Sequence, residues 1–520
     1  MNDVSNATSP QLTIPSGAPH NKFTRYARSV SSDHTHLFPM VPTTRPLVVG
    51  IDLRTLGMDP RAYPDLLEIA RRRDIVAVKL LIRRNDDAAI AESWMQAIEI
   101  DELHTLSFTD RESASRFGDA LEFSVHSTRA GQIAAMRMCR FFDIYTVLDA
   151  HDATTTDLSD TDRLDAAVLA AVGYALGTDV IVSLAPTVGR ADVADNDVVT
   201  TVTPEDLAPV FGHYLRMTGN CIIAQICTGR SVNEVGARSI TEFYANGVAA
   251  VAPLLDTLHL AARLAGKTEA AADVETVQAR LRRAARALDE VLAALARTNG
   301  RDIKPTVDTV ESVSEAFDRE LLYLIAVFDT YARAYLRWMY PTESKPLLKS
   351  LHSKTTLTRY VDPHYPGPVG ADLLRQVHEL QQYAFICSQL RNRIHAAMLP
   401  TAPFANRAYG SAQAIAIDLS AVGIEPNQQQ TDRLGVWKTE LNPLSAETLV
   451  VADIATAAVE LFITAAEYVD VFSRLILTIK PVGAPDADNL LGMAADDTGA
   501  QLPPPASIEQ RYRDLFGWKR

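Results

Sequence analysis

The chain has 520 residues, of which 47% are hydrophobic and 22% charged, and a formal net charge of −14. At roughly 150 residues per domain, that length accommodates about three units with a substantial buried core. The excess of negative charge excludes a protein coated over most of its surface by nucleic acid, but leaves room for a local basic site.

Four cysteines, at 139, 221, 227 and 387, are too few and too scattered for a disulfide framework, and they read as buried thiols in a reducing compartment. The first residues lack the basic-then-apolar pattern of a secretory signal. The longest apolar stretch, LLYLIAVF at 321–328, is too short to cross a bilayer. A cytoplasmic protein with no membrane contact is expected.

Residues 1–44 are rich in Ser, Thr, Pro and Asn and predict a disordered arm. From 45 to 200 the pattern alternates. Strand-like runs are LVVGIDL (47–53), IVAVKLLI (75–82), LHTLSF (103–108), FDIYTVL (142–148) and VIVSLA (180–185). Between them YPDLLEIARRR, DAAIAESWMQAI, DRESASRFGDAL, TRAGQIAAMRMC and DRLDAAVLAAVGYALG read as helices. Five apolar strands separated by helices predict an α/β domain, a mostly parallel sheet with flanking helices.

Beyond 200 apolar residues recur at three- and four-residue spacing. TPEDLAPVFGHYLRMTG opens on a helix-start signal. Long helices are predicted near 230–266, 271–298, 308–340, 370–398 and 444–478. Residues 201–300 form a helical connector and 301–480 a large all-α bundle. The stretch 341–369 reads as a long loop, a frequent home of function. Residues 481–520 are a Pro/Gly-rich linker ending in a short amphipathic helix, IEQRYRDLFGWKR, suited to docking on the body or on a protein partner. The aromatic row Tyr323, Phe328, Tyr331, Tyr335 and Trp338 has helical spacing and fits core packing better than a base-stacking platform.

Two segments carry candidate chemistry. Residues 141–200 hold eleven aspartates, no glutamate or lysine and two arginines. Short carboxylates near strand ends suit a hard divalent cation, and they also suit helix caps and turns. DRLDAAVLAAVGYALGTDVIVS resembles the late part of PIN-type nuclease domains, and VVGIDLRTL at 48–56 resembles their opening strand. That resemblance implies a metal set of Asp52, Asp149, Asp165 and Asp179 holding Mg²⁺ or Mn²⁺.

The second segment, 345–410, has eight basic residues against three acids, with His352, His364, His378 and His395 in addition. A basic island in an acidic chain fits phosphate binding. Within QLRNRIHAAMLP (389–400), Arg391 and His395 are four apart and share a helix face. A neutral imidazole can take the proton of an RNA 2′-hydroxyl while a guanidinium braces the charge growing on phosphorus. The cationic side chains also fit a helix C-terminus by dipole alone. Lys354, Arg359, Arg393 and Arg407 are the surrounding candidates for RNA backbone contacts. HSKTTLTRY (352–360) has the hydroxyls and cations of an anion loop.

LRNRIHA (390–396), late in a helical setting, resembles the signature of HEPN domains, all-α bundles frequent in bacterial toxins and phage-defence ribonucleases. The resemblance implies catalytic Arg391, Asn392 and His395, a metal-independent RNA cleavage needing no cofactor, and a homodimer that joins two such sites. The expected function is therefore an RNA-directed endoribonuclease or toxin-like effector in bacterial defence or stress. The alternatives are a non-catalytic scaffold or sensor of a bacterial assembly, and a metal-dependent PIN-type nuclease.

Overall fold

The computed structural model describes residues 46–82, 88–108, 121–127, 131–138, 169, 178–186, 188, 200–228, 231–296, 307–339, 350–365, 367–405, 413–440, 448–478 and 505–518. The predicted arm, the strand at 142–148, the predicted helix at 110–121 except Leu121, and nearly all of the Ala-rich helix before 178 lie outside the described residues.

The N-terminal part is built on a seven-stranded sheet. Its strands are β1 (Leu47–Asp52), β2 (Val76–Ile82), β3 (Glu102–Phe108), β4 (Leu121–Ser127), β5 (Gly131–Met138), β6 (Val180–Val182) and β7 (Thr200–Val202). The order is β5-β4-β3-β2-β1-β6-β7. Strands β3, β2, β1, β6 and β7 are mutually parallel. Strands β4 and β5 extend the edge antiparallel. The buried runs VVGID and VAVKLLI, apolar on both faces, are what a parallel sheet covered by helices requires. Helices α1 (Leu53–Leu56), α2 (Pro64–Ala70) and α3 (Ala88–Ala97) supply the cover. Trp94 of α3 is fully buried and donates to the Gly57 carbonyl at 3.0 Å. The segment TRAGQIAAMRMC, predicted as helix, is instead strand β5 of a hairpin with β4.

The rest is mainly helical. The chain runs through α4 (Leu207–Thr218), the hairpin β8 (Ile222–Thr228) and β9 (Ser231–Gly236), and then α5 (Ile240–Val251) and α6 (Leu254–Leu264). Helices α5 and α6 meet at 93° where Pro253 interrupts the run, so the predicted single helix at 230–266 is strand β9 and two helices. The long helices α7 (Thr268–Ala296) and α8 (Val307–Met339) follow as expected. After a short helix α9 (Lys354–Tyr360) comes α10 (Pro368–Ala396), which begins on Gly367 at φ 121° with Pro368 in its first turn. No single helix among the described residues is long and apolar enough to cross a membrane.

Within the helical region sits a small antiparallel sheet. Its strands are β10 (Thr401–Ala405), β11 (Gln413–Asp418), β12 (Val436–Glu440) and β13 (Thr448–Asp453), in the order β10-β11-β13-β12. Helices α11 (Leu419–Val422) and α12 (Gln428–Arg433) connect them. The predicted helix 444–478 is thus a strand followed by α13 (Ile454–Thr478). Asp453 makes the junction: its carboxylate accepts from Thr456 N at 2.8 Å and Thr456 Oγ1 at 2.6 Å.

One continuous apolar core joins the large sheet, α4 to α8, α10 and α13. The aromatic row belongs to it: Phe328, Tyr331, Tyr335 and Trp338 are buried, and Tyr331 and Tyr335 meet the Phe472 ring edge-on. Among the described cysteines Cys387 is buried and Cys221 partly so, and neither is in a disulfide. The C-terminal helix α14 (Pro505–Phe516) docks on this body, with Tyr512, Leu515, Phe516 and Trp518 buried.

Candidate functional site

Helix α10 ends where the sequence places its charged heptapeptide. Arg393 and His395 lie in the last turn, and Ala397 takes an extended conformation that turns the chain into β10. At about 100° per residue, His395 falls roughly 40° from Arg391 and 60° from Asn392 around the axis. All three therefore occupy one arc of about 100°. Asn392 and His395 are exposed, and Arg391 and Arg393 are half-buried on the flanks of the same turn. The exposed stripe continues back through Gln382 and Phe385, with Phe385 48% exposed.

The guanidiniums differ in how they are satisfied. Arg375 is held by Asp372 and Glu379 at 2.6 and 3.0 Å. Arg391 and Arg393 have no ion-pair partner among the described residues, and each keeps a buried Nε without a hydrogen bond. A half-buried guanidinium with an unmet N–H is a ready donor to an anion's oxygen. Lys354 and Arg359, at the two ends of α9, are exposed. Arg359 lies 5.4 Å over the Tyr360 ring. Arg407 lies outside the described residues.

A second histidine of the basic island packs against α10 earlier along the helix, where its carbonyl accepts from Gln381 Nε2 at 2.5 Å. His352 precedes α9, half-buried, with its Nδ1 buried and unpartnered among the described residues. Burial lowers its pKa; Asp329 of α8 opposes the shift and Arg391 of α10 adds to it. Its sequence signal was only membership of the basic island, with nothing in the spacing to link residue 352 to residue 391.

Asp52 and Asp179, the acidic candidates among the described residues, do not come together. Asp52 ends β1 and is fully buried. Arg54 grips both of its oxygens, Nε at 2.6 Å and Nη2 at 2.9 Å, and Ser183 Oγ donates at 2.9 Å. Asp179 lies before β6 at the opposite end of the sheet, accepting from Val48 N at 2.9 Å. Four strand residues separate Val48 from Asp52, or roughly 13 Å at about 3.3 Å per residue. One cation cannot bridge that distance. Asp149 and Asp165 lie outside the described residues. The carboxylate of Asp52 therefore does not fit a divalent ion: a guanidinium already fills the cation's place. Among the described residues no three His, Cys, Asp or Glu side chains are grouped as a metal would need.

No family model, curated protein or solved structure matches the chain.

Proposed function

We propose that the chain is an RNA-directed, metal-independent endoribonuclease or toxin-like effector, acting in the cytoplasm in bacterial defence or stress, with its site at the end of α10. The observation that carries this is the convergence of Arg391, Asn392 and His395 on one arc of a helix end, with the Arg391 guanidinium unpartnered among the described residues. In that chemistry Arg391 braces the phosphate, His395 transfers a proton, and Asn392 positions one of them or a phosphate oxygen. Exposed Lys354 and Arg359 and half-buried Arg393 would neutralise neighbouring phosphates. Phe385, exposed two turns before Asn392 on the same stripe, supports a symmetric contact with a second copy beside the site.

The test is growth on overexpression of wild type against His395→Ala, paired with cleavage of RNA in excess EDTA. Toxicity and chelator-resistant cleavage, both lost in His395→Ala, are expected. Equal growth of the two strains and intact RNA would point to a non-catalytic scaffold. Cleavage restored only by Mn²⁺ would move the activity to another site.

A further inference from the structure

Helix α14 is held by one face and by its carbonyl end. Tyr512, Leu515 and Phe516 fall at positions i, i+3 and i+4, and all three are buried. Gly517, at φ 67°, ends the helix, its N–H returning to Arg513 O at 3.0 Å. The Leu515 carbonyl is among the last-turn acceptors that a helix cannot satisfy by itself. Arg216 of α4 donates to it at 2.9 Å, and a cation at that end also suits the helix dipole.

The body is shaped to receive this segment. Gly212 of α4 and Gly247 of α5 lie inside helices, where glycine is a poor helix former. Each marks a place where α14 comes close. A Cβ at 212 would stand 1.8 Å from the Leu515 carbonyl oxygen, and one at 247 would stand 2.2 Å from the Phe516 ring. Phe243 meets the Tyr512 and Phe516 rings edge-on, at centroid distances of 5.4 and 5.6 Å. Asn246 donates to Tyr512 Oη at 2.9 Å. Past the helix end, Trp518 packs against Phe516 and against Phe462 of α13, at 4.1 and 4.5 Å. Two arginines of α14 fix its register: Arg513 donates to Ala250 O at 2.7 Å, and Arg511 pairs with Glu68 of α2. Together these contacts read a side-chain pattern and a helix end. None of them depends on which chain α14 belongs to.

We infer that the seat formed by α4, α5 and α13 is a binding site for a helical C-terminal peptide, and that it takes α14 from a second copy of this chain. Residues 479–504 join α13 to α14. A stretch of that length spans roughly 90 Å at full extension, so chain length does not restrict α14 to the seat on its own copy. Transfer between copies reproduces each contact, and a reciprocal transfer closes a two-fold pair. This site is separate from the one at the end of α10 and does not rest on the ribonuclease reading.

The test pairs two full-length variants. Phe516→Lys puts a second cation beside the Arg216 guanidinium, which frees the seat and leaves its lining intact. Gly212→Ala keeps the helix intact and closes the seat. Tagged Phe516→Lys should retain untagged Gly212→Ala, and should retain untagged Phe516→Lys no better than tagged wild type retains wild type. A fluorescent peptide of residues 505–520 should bind Phe516→Lys roughly tenfold or more tighter than wild type, whose own helix competes at high local concentration. The same peptide in excess should release Gly212→Ala from the pair, and a peptide carrying Phe516→Lys should not. Circular dichroism and thermal unfolding check that each variant is folded. Folded variants that neither pair nor bind the peptide overturn the inference. Hydrogen exchange of the wild type gives a readout that needs no variant: the α14 amides should open separately from those of α7 and α8. A single common opening equilibrium for all three helices would mean that α14 leaves only when the body unfolds, and would overturn the inference as well.

Discussion

Arg216 of α4 stands over the ring of Phe516 in α14, its guanidinium carbon 4.0 Å from the ring centroid. The same guanidinium donates to both oxygens of Asp289 at 2.6 and 3.1 Å and to the Leu515 carbonyl at 2.9 Å. Tyr244 closes the cluster with a 2.6 Å hydrogen bond to Asp289. A segment near the C-terminus thus caps a buried charge pair in the body, and Arg511 of the same helix reaches Glu68 in α2 against the large sheet.

Arg216→Met is expected to destabilise the protein by about 3–5 kcal/mol, because it strands the Asp289 carboxylate in a fully buried position. Denaturant unfolding measures this. A loss below about 1 kcal/mol, the range of an exposed pair, would mean that the cluster is solvated.

Gly212→Ala tests how closely α14 must approach. A Cβ at 212 would sit 1.8 Å from the Leu515 carbonyl oxygen, and that backbone cannot yield as a side-chain tip can. The substitution improves intrinsic helix propensity by up to about 1 kcal/mol, so local preference favours it while tertiary contact opposes it. The expected outcome is a displaced C-terminal helix, read as faster hydrogen exchange of the α14 amides than in wild type. α14 amides that exchange as slowly as in wild type would show that the seat tolerates the methyl.

Long helices and doubly covered strands were legible because their period extends over many residues: α7, α8 and α10 each begin and end within about three residues of their expected limits. Short strands beside helices were not. GQIAAMRM carries Ala and Met, good helix formers, yet pairs with β4, and pairing overrides local preference. TLVVAD was absorbed into the periodic run that follows it, although Asp453 marks the boundary as an N-cap. For the site, the heptapeptide puts Arg391 and His395 on one face, because helix geometry fixes residues four apart, whereas Asn392, adjacent in sequence, stands about 100° round the axis from Arg391. The sequence does not show the grip of Arg54 on Asp52, which depends on the turn after β1. The aspartates were read as one set because a sequence does not show that Asp52 and Asp179 face opposite ends of the sheet.

The Asp52–Arg54 pair predicts how the sheet responds to metal. With a guanidinium on both carboxylate oxygens, Mn²⁺ or Mg²⁺ at millimolar concentration should leave the thermal midpoint where EDTA leaves it. Arg54→Met should instead cost stability, up to about 3–5 kcal/mol for a buried carboxylate deprived of its cation, with the Ser183 hydrogen bond offsetting part of it. A metal-dependent rise in the wild-type midpoint would show that the cation displaces Arg54.

Glu320 predicts a pH dependence of stability that its surroundings do not offset. It lies fully buried in α8 with both carboxylate oxygens unpartnered among the described residues, and burial pushes its pKa well above the ordinary glutamate value. Cys387 of α10 lies within its electrostatic reach, and its thiol is pushed up by burial first and by Glu320 second. The folded chain therefore holds the Glu320 proton more tightly than the unfolded chain does. Stability from this group is fully present below the unfolded value and is lost as pH rises from there toward the folded value, at a limiting slope of about 1.4 kcal/mol per pH unit. Glu320→Gln keeps the shape of the protonated acid and removes the titration. Urea midpoints between pH 5 and pH 8 should show wild type losing stability relative to Glu320→Gln as pH rises. Parallel pH curves for the two proteins would mean that the carboxyl reaches water or finds a partner in the folded state.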